Sequence, residues 1–256
     1  MTTEQHRFMF DLSGRTALVT GCRTGIGMAI AVALAGAGAD VIGVSNQLEP
    51  GSEVEEAVRL AGRSFTSLQA DLSQRSHLYR LTERLTNEQV DILVANAGSN
   101  RRHRAVDFPD EDWDFLIELN LTSQFILARE IGRGMLARGK GKMIFTASLL
   151  TFQGGITVPA YAASKAGVGA IVKALSNEWA GRGIQVNGLA PGYIATNATT
   201  ALQHDPVRNK EILTRIPAGR WGSPQDLGGP AVFLASPASD YVTGEILVAD
   251  GGWMGR

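Results

Sequence analysis

Tyr161 and Lys165, in the stretch "YAASK", put a phenol and an ammonium four positions apart with only Ala162, Ala163 and Ser164 between them. On a helix that spacing places both side chains on one face and on neighbouring turns. A phenol ordinarily ionises near pH 10, and a nearby cation favours its ionised form. The pair therefore reads as a tuned proton donor and acceptor, a role worth roughly 10²–10⁴ in rate. The small residues between leave room for a ligand against the helix. Such pairs are also common on exposed helices, so the companions matter. Ser148 ends the strand-like run "KMIFTAS" (142–148), at the carboxyl edge where open α/β sheets bind ligands. Asn120, in "IELNLTS", sits inside a helical stretch where asparagine has no propensity advantage, so a bond from its side chain to backbone or water is expected.

A second chemical signal is "LVTGCRTGIG" (18–27), which runs from an apolar strand through Gly21, Gly25 and Gly27 into a helix. Glycines there let the backbone turn tightly and let a diphosphate approach the N–H groups of the helix start. Strand two ends in "VSNQLEP", so Ser45 and Asn46 stand where an acidic residue would bind ribose hydroxyls and exclude a 2′-phosphate. Arg23, in the glycine turn, is within sequence reach of such a phosphate. NAD is the expected cofactor, with NADP left open. Cys22 adjoins the same helix start, a place that lowers thiol pKa values, but a filler role is expected of it.

Several elements must position these groups. Seven runs, "TALVT" (16–20), "DVIGVS" (40–45), "RSFTSLQ" (63–69), "DILVAN" (91–96), "KMIFTAS" (142–148), "IQVNGLA" (184–190) and "EILVAD" (245–250), read as strands. Most are apolar on both faces, as in a parallel sheet covered on each side. Helical stretches at 25–37, 73–86, 111–138 and 160–181 alternate with them. The expected fold is a single-domain, Rossmann-like, doubly wound α/β sheet of about seven strands with helices on both faces. Residues 193–222, interrupted by Pro206 and Pro217, read as one irregular stretch of the length expected of a substrate-side lid or loop.

Composition excludes several classes. A formal net charge of −1 offers no field for nucleic acid or an anionic membrane. No apolar run approaches the roughly 18 residues of a spanning helix, and "MTTEQHRFMFDLSGR" lacks the hydrophobic block of a secretory leader. One cysteine cannot form an intrachain disulfide, which agrees with a cytoplasmic location. Histidines at 6, 77, 103 and 204 show no metal-ligand spacing, so no metal site is expected.

"TGCRTGIG", "DLS" from Asp71, "NAG" from Asn96, Asn120, Ser148, "YAASK" and "PG" at Pro191–Gly192 stand together in the order and spacing of the short-chain dehydrogenase/reductase family, which the chain resembles over essentially its whole length. That resemblance implies a tetrad: Tyr161 as acid/base, Ser148 holding the substrate oxygen, Asn120 supporting a water in a proton relay, and Lys165 also bonding the nicotinamide ribose. It further implies cofactor contacts from Gly21, Arg23, Thr24, Gly25, Ile26, Gly27, Asn46, Asp71, Leu72, Asn96, Ala97, Gly98, Pro191, Gly192, Ile194 and Thr196. Asp71 would meet the adenine, and Ile194 with Thr196 the carboxamide. "ANAG" departs from the commoner "NNAG" but keeps Asn96. A homotetramer is also implied, with 111–138 and 160–181 packed across subunits and Ala166, Gly167 and Gly169 permitting close approach.

"FQGGITVPAYAASKAGV", "LAPGYIATN", "RIPAGRWG" and "VADGGW" resemble the members of that family that interconvert hydroxyl and ketone on six-carbon deoxy-keto-sugar acids in uronate and pectin breakdown, mainly with NAD. An acidic sugar fits Arg101 and Arg102 in "RRHR", since guanidinium groups fork onto carboxylates. Gln153 is a candidate for a sugar hydroxyl, while Trp221 and Trp253 read as packing residues. Two other readings stand beside this one: a reductase of another polyol, uronate or 3-oxoacyl substrate, and a non-catalytic dinucleotide-binding regulator.

Overall fold

The apolar runs become one seven-stranded parallel sheet in the computed structural model, which describes residues 9–256. The strands are β1 Thr16–Thr20, β2 Asp40–Ser45, β3 Phe65–Gln69, β4 Ile92–Ala95, β5 Gly141–Thr146, β6 Ile184–Pro191 and β7 Ile246–Ala249. The helices are α1 Gly25–Gly36, α2 Glu53–Leu60, α3 Arg75–Arg84, α4 Asp110–Ile117, α5 Ser123–Arg138, α6 Pro159–Trp179, α7 Thr200–His204, α8 Pro206–Arg215 and α9 Gly228–Ala235. Every residue of β4 and β5 is buried, because helices cover both faces. Leu78 and Leu81 of α3, Ile131 of α5 and Val168 and Val172 of α6 pack on one side. Ile30 and Leu34 of α1, Val58 of α2 and Leu234 of α9 pack on the other. Each such side chain contributes about 1.5–3 kcal/mol on burial.

Strand order β3-β2-β1-β4-β5-β6-β7 reverses direction between β1 and β4, which pair directly as Ala17↔Ile92 to Val19↔Val94. The loops leaving those two strands diverge to opposite faces and open a crevice at the carboxyl edge. The glycine turn and "NAG" both lie there.

Two stretches differ from the sequence expectation. The helix expected over 111–138 is interrupted by a wider π-type turn at Glu118–Thr122, which carries Asn120; such turns concentrate at functional sites. Residues 200–215, expected to be irregular, are helical instead. Pro206 occupies the first position of α8, where a missing N–H costs nothing. The Asp205 carboxylate accepts hydrogen bonds from Val207 N–H and Arg208 N–H, each at 3.0 Å, a cap worth about 1 kcal/mol. Ile212 and Ile216, four apart, then bury with Leu149 and Trp253 in a third apolar cluster.

Two of the small residues of α6 are also hemmed in within the chain. A Cβ on Gly167 would meet Leu121 Cδ1 at 2.9 Å, and one on Gly169 would meet Thr151 Cγ2 at 2.6 Å. Their smallness is needed inside this chain, whereas Ala166 faces outward. Among the described residues, no helix is long and apolar enough to cross a membrane, and no group of His, Cys, Asp or Glu could hold a metal ion. The leader-free reading of the N-terminus rests on residues 1–8, which lie outside the described residues.

Candidate active site

The glycine turn is shaped by close approach. Gly21 and Gly25 have φ of 65° and 60°, the left-handed region that favours glycine. Gly27 has no room for a side chain: a Cβ there would press on the Gly21 carbonyl and on Asn96 Nδ2. Asn96 fastens this corner, donating from Nδ2 to Thr20 O at 3.0 Å and Gly21 O at 3.3 Å and accepting from Thr146 Oγ1 at 3.1 Å. Its side chain is thus committed to joining β1, β4 and β5.

Beside the turn lies a crevice of about 360 Å³. Gly21, Arg23, Thr24, Asn46, Asp71, Leu72, Ala97 and Gly98 are in its wall. Thr24 makes no side-chain cap on α1, so the first N–H groups of that helix remain open to an anion. Asp71 is held by Ser73, accepting from its N–H at 3.0 Å and its hydroxyl at 2.7 Å. Ile26 is half-buried against the α1 face of the sheet, and Thr196 Cγ2 lies 3.6 Å from where a Gly25 Cβ would stand. Bare backbone at the turn, an open helix start and no acid at Ser45–Asn46 fit an adenine dinucleotide. Cys22 is fully buried and its thiol is pushed up to about 12 by burial, so it is filler, as expected.

The proposed proton-handling groups converge above the ends of β5 and α6. Ser148 starts a short turn in which Leu150 N–H donates to its Oγ at 3.2 Å, while Thr151 Oγ1 accepts from Ser148 N–H at 3.2 Å and donates to Lys165 O at 3.0 Å. This ties the serine to the helix carrying the tyrosine and lysine. Lys165 is 2% exposed, and its Nζ donates to Thr146 O at 2.6 Å, lying 5.7 Å from the Tyr161 ring centre. Burial lowers its pKa to about 8. Tyr161 moves the other way: burial raises its pKa, opposed by the Ser148 hydrogen bond and the Arg102 charge. This corrects the simple expectation that Lys165 draws the phenol toward neutrality. The ammonium is turned onto the β5 carbonyl beneath the ring, and burial dominates. Asn120 is fully buried; its Nδ2 donates to Ser99 O at 2.9 Å and Ser164 Oγ at 3.3 Å, and its Oδ1 accepts from Ser99 N–H at 2.9 Å. It stitches the loop after β4 to α6.

A family model described as enoyl-(acyl carrier protein) reductase matches residues 21–254. A 2-dehydro-3-deoxy-D-gluconate 5-dehydrogenase of Pseudoalteromonas atlantica is 58% identical over 96% of this chain and 98% of its own length. The chain belongs to the short-chain dehydrogenase/reductase family. Its solved relatives include a protein of Agrobacterium tumefaciens with bound NADP, 48% identical with a TM-score of 0.93, covering 97% of this chain and 99% of that one. A gluconate 5-dehydrogenase of Burkholderia cenocepacia in complex with NADP and tartrate is 37% identical with a TM-score of 0.93, covering 98% and 99%.

In this short-chain dehydrogenase/reductase a second cleft, of about 550 Å³, opens in front of Ser148 and Tyr161. Arg102 and Gln153 line it, where the sequence reading put substrate residues; Pro191 and Gly192, expected at the cofactor, line it too. Gly192 is held against Asp250, whose Cα a Cβ would meet at 2.6 Å. Ile194 is buried and bridges to Gly222, closing off the stretch between them. Arg101 does not join the cleft. Its guanidinium pairs with Asp112 at 3.5 Å and lies 5.1 Å from the Phe115 ring centre, because adjacent residues on an extended loop point opposite ways. Sequence reasoning missed Tyr193, Arg208, Arg215 and the cleft-side position of Trp253. The Asp205-Pro206 cap signal and the Ile212/Ile216 spacing were the available clues to α8.

Proposed function

We propose that this protein transfers hydride between a nicotinamide adenine dinucleotide and a six-carbon deoxy-keto-sugar acid, as an enzyme of the 2-dehydro-3-deoxy-D-gluconate 5-dehydrogenase type. The observation that carries the reading is the meeting of Ser148 and Tyr161 at one cleft that also holds Arg102, with Lys165 buried beside the Tyr161 ring. Similarity to the Pseudoalteromonas enzyme and to a relative that holds tartrate, a dicarboxylate, supports the acidic substrate.

Bound at the glycine turn, the cofactor supplies or accepts the hydride. The chain's own residues handle the oxygen and its proton. Ser148 Oγ and the Tyr161 hydroxyl hold the substrate oxygen, and Tyr161 gives its proton to that oxygen as a ketone becomes an alcohol. Burial favours the protonated phenol, which suits the reductive direction; oxidation needs the phenolate and is favoured by higher pH. Lys165 supports the ring from below and is the residue for the nicotinamide ribose, and Asn120 holds the loop after β4 in place. Both NAD and NADP are accepted: Ser45 and Asn46 put no acid at the end of β2, exposed Arg23 stands ready for a 2′-phosphate, and relatives bind NADP. The chain acts as one catalytic domain with 193–222 as its lid. It forms a homotetramer in the cytoplasm, in uronate breakdown, a reading supported by an outer face of α6 in which Ala163, Ala166 and Ala170 are exposed.

Steady-state kinetics with NADH, NADPH and a panel of uronate-derived keto-acids tests this, with Tyr161→Phe alongside. Wild type is expected to turn over sugar acids, and the variant to keep NADH affinity while losing at least ~100-fold in turnover. A near-normal variant removes Tyr161 from the chemistry. Firm NADH binding without turnover of any carbonyl points instead to a dinucleotide-binding regulator.

A further inference from the structure

The lid side of the substrate cleft carries an arginine with a free rim. Arg215 is the last residue of α8, and its guanidinium carbon lies 4.0 Å from the Trp253 ring centre. At that distance the planar cation is stacked on the indole and uses its face for the contact. Its in-plane N–H donors remain available. No carboxylate among the described residues pairs with it. Glu211, one turn back, is taken by Arg208 at 2.6 Å.

The platform beneath is rigid. Trp253 is 6% exposed, and Tyr193 packs on it with ring centres 4.7 Å apart. The same apolar cluster contains Ile212, Ile216 and Leu149, and Leu149 directly follows Ser148. The tryptophan under the arginine therefore shares its apolar cluster with the residue next to Ser148. The Trp253 indole N–H is also buried without an acceptor among the described residues, a condition that costs about as much as a lost hydrogen bond until an acceptor arrives.

Arg102 also lines the cleft, from the loop after β4, whereas Arg215 enters it from α8. A hexonate that offers a carbonyl remote from C1 to Tyr161 carries its carboxylate several bonds away from the reacting carbon. We propose that Arg215, stacked on Trp253, receives the carboxylate of the sugar acid, so that the lid helix sets the preference for acidic over neutral substrates. This inference rests on the keto-sugar-acid reading above and deepens it.

The test compares wild type, Arg215→Gln and Arg215→Lys on 2-dehydro-3-deoxy-D-gluconate and on its neutral methyl ester, with NADH affinity as the folding control. The expected result for Arg215→Gln is a KM for the acid raised roughly 10- to 100-fold, as for loss of a charge-assisted pair. The ester's KM and both kcat values should change by no more than about threefold. Arg215→Lys should recover part of the acid's affinity, since an ammonium keeps the charge but not the planar fork. An unchanged KM for the acid, or equal shifts for acid and ester, overturns the assignment while leaving the enzyme reading intact. Wild type inactive on both compounds overturns the enzyme reading, and this inference with it.

Discussion

Lys165 ought to leave a thermodynamic trace of its burial that can be read without any substrate. Its pKa falls from 10.5 to about 8 because the ammonium is desolvated. Below pH 8 both folded and unfolded chains carry the charge, and the folded state bears the cost of burying it. Between about pH 8 and 10.5 the unfolded chain binds more protons than the folded one, so stability rises with pH across that window. Each unit is worth about 1.4 kcal/mol, so the window of two to three units carries about 3 kcal/mol. Lys165→Met removes this titration. It also removes the 2.6 Å bond to Thr146 O, which offsets the gain by about 1–3 kcal/mol. The two variants should therefore differ little at pH 7, and that single value decides nothing. The pH dependence does, because a neutral amine can still donate to the carbonyl. Relative to wild type, Lys165→Met is expected to lose about 3 kcal/mol between pH 7 and pH 10. Urea unfolding of ligand-free protein at fixed concentration and several pH values measures this, with all other titrations common to both proteins. Parallel curves would refute the reasoning and give Lys165 an ordinary pKa in the folded chain.

Arg102→Ala should move the alkaline-rising limb of the oxidation rate to higher pH, because the cation that lowers the Tyr161 pKa is gone; Arg101→Ala, which loses a half-exposed pair with Asp112 and its place over Phe115, should leave that limb in place and the rate within roughly twofold. Equal shifts in the two pH–rate profiles would mean that both arginines face the phenol. Gly27→Ala forces a methyl onto the Gly21 carbonyl and Asn96 Nδ2 and is expected to cost about 3 kcal/mol, with weakened NADH binding. Wild-type urea midpoint and cofactor affinity in that variant would contradict the close approach.

Much of the strand framework was legible because a parallel sheet covered on both faces needs continuous apolar runs, and "DILVAN" and "KMIFTAS" are such runs. Gly21, Gly25 and Gly27 were legible as a turn because only glycine tolerates the left-handed backbone and the crowding at that corner. The lid was not. Pro206 read as a breaker, although at the first turn of a helix a proline is welcome and Asp205 caps it. Arg101 and Arg102 were indistinguishable in sequence, and only the loop's course sent one to Asp112 and the other to the cleft.

By themselves, the residue types and spacings determined the sheet and the glycine corner, since periodicity and glycine sterics act over a few residues; the grouping of Ser148 with Tyr161 and Lys165 came from the family resemblance. The tertiary structure decided how those groups ionise and what they face. Desolvation depends on neighbours drawn from distant parts of the chain, so the raised phenol, the lowered amine and the arginine laid on Trp253 follow from packing, which no local pattern contains.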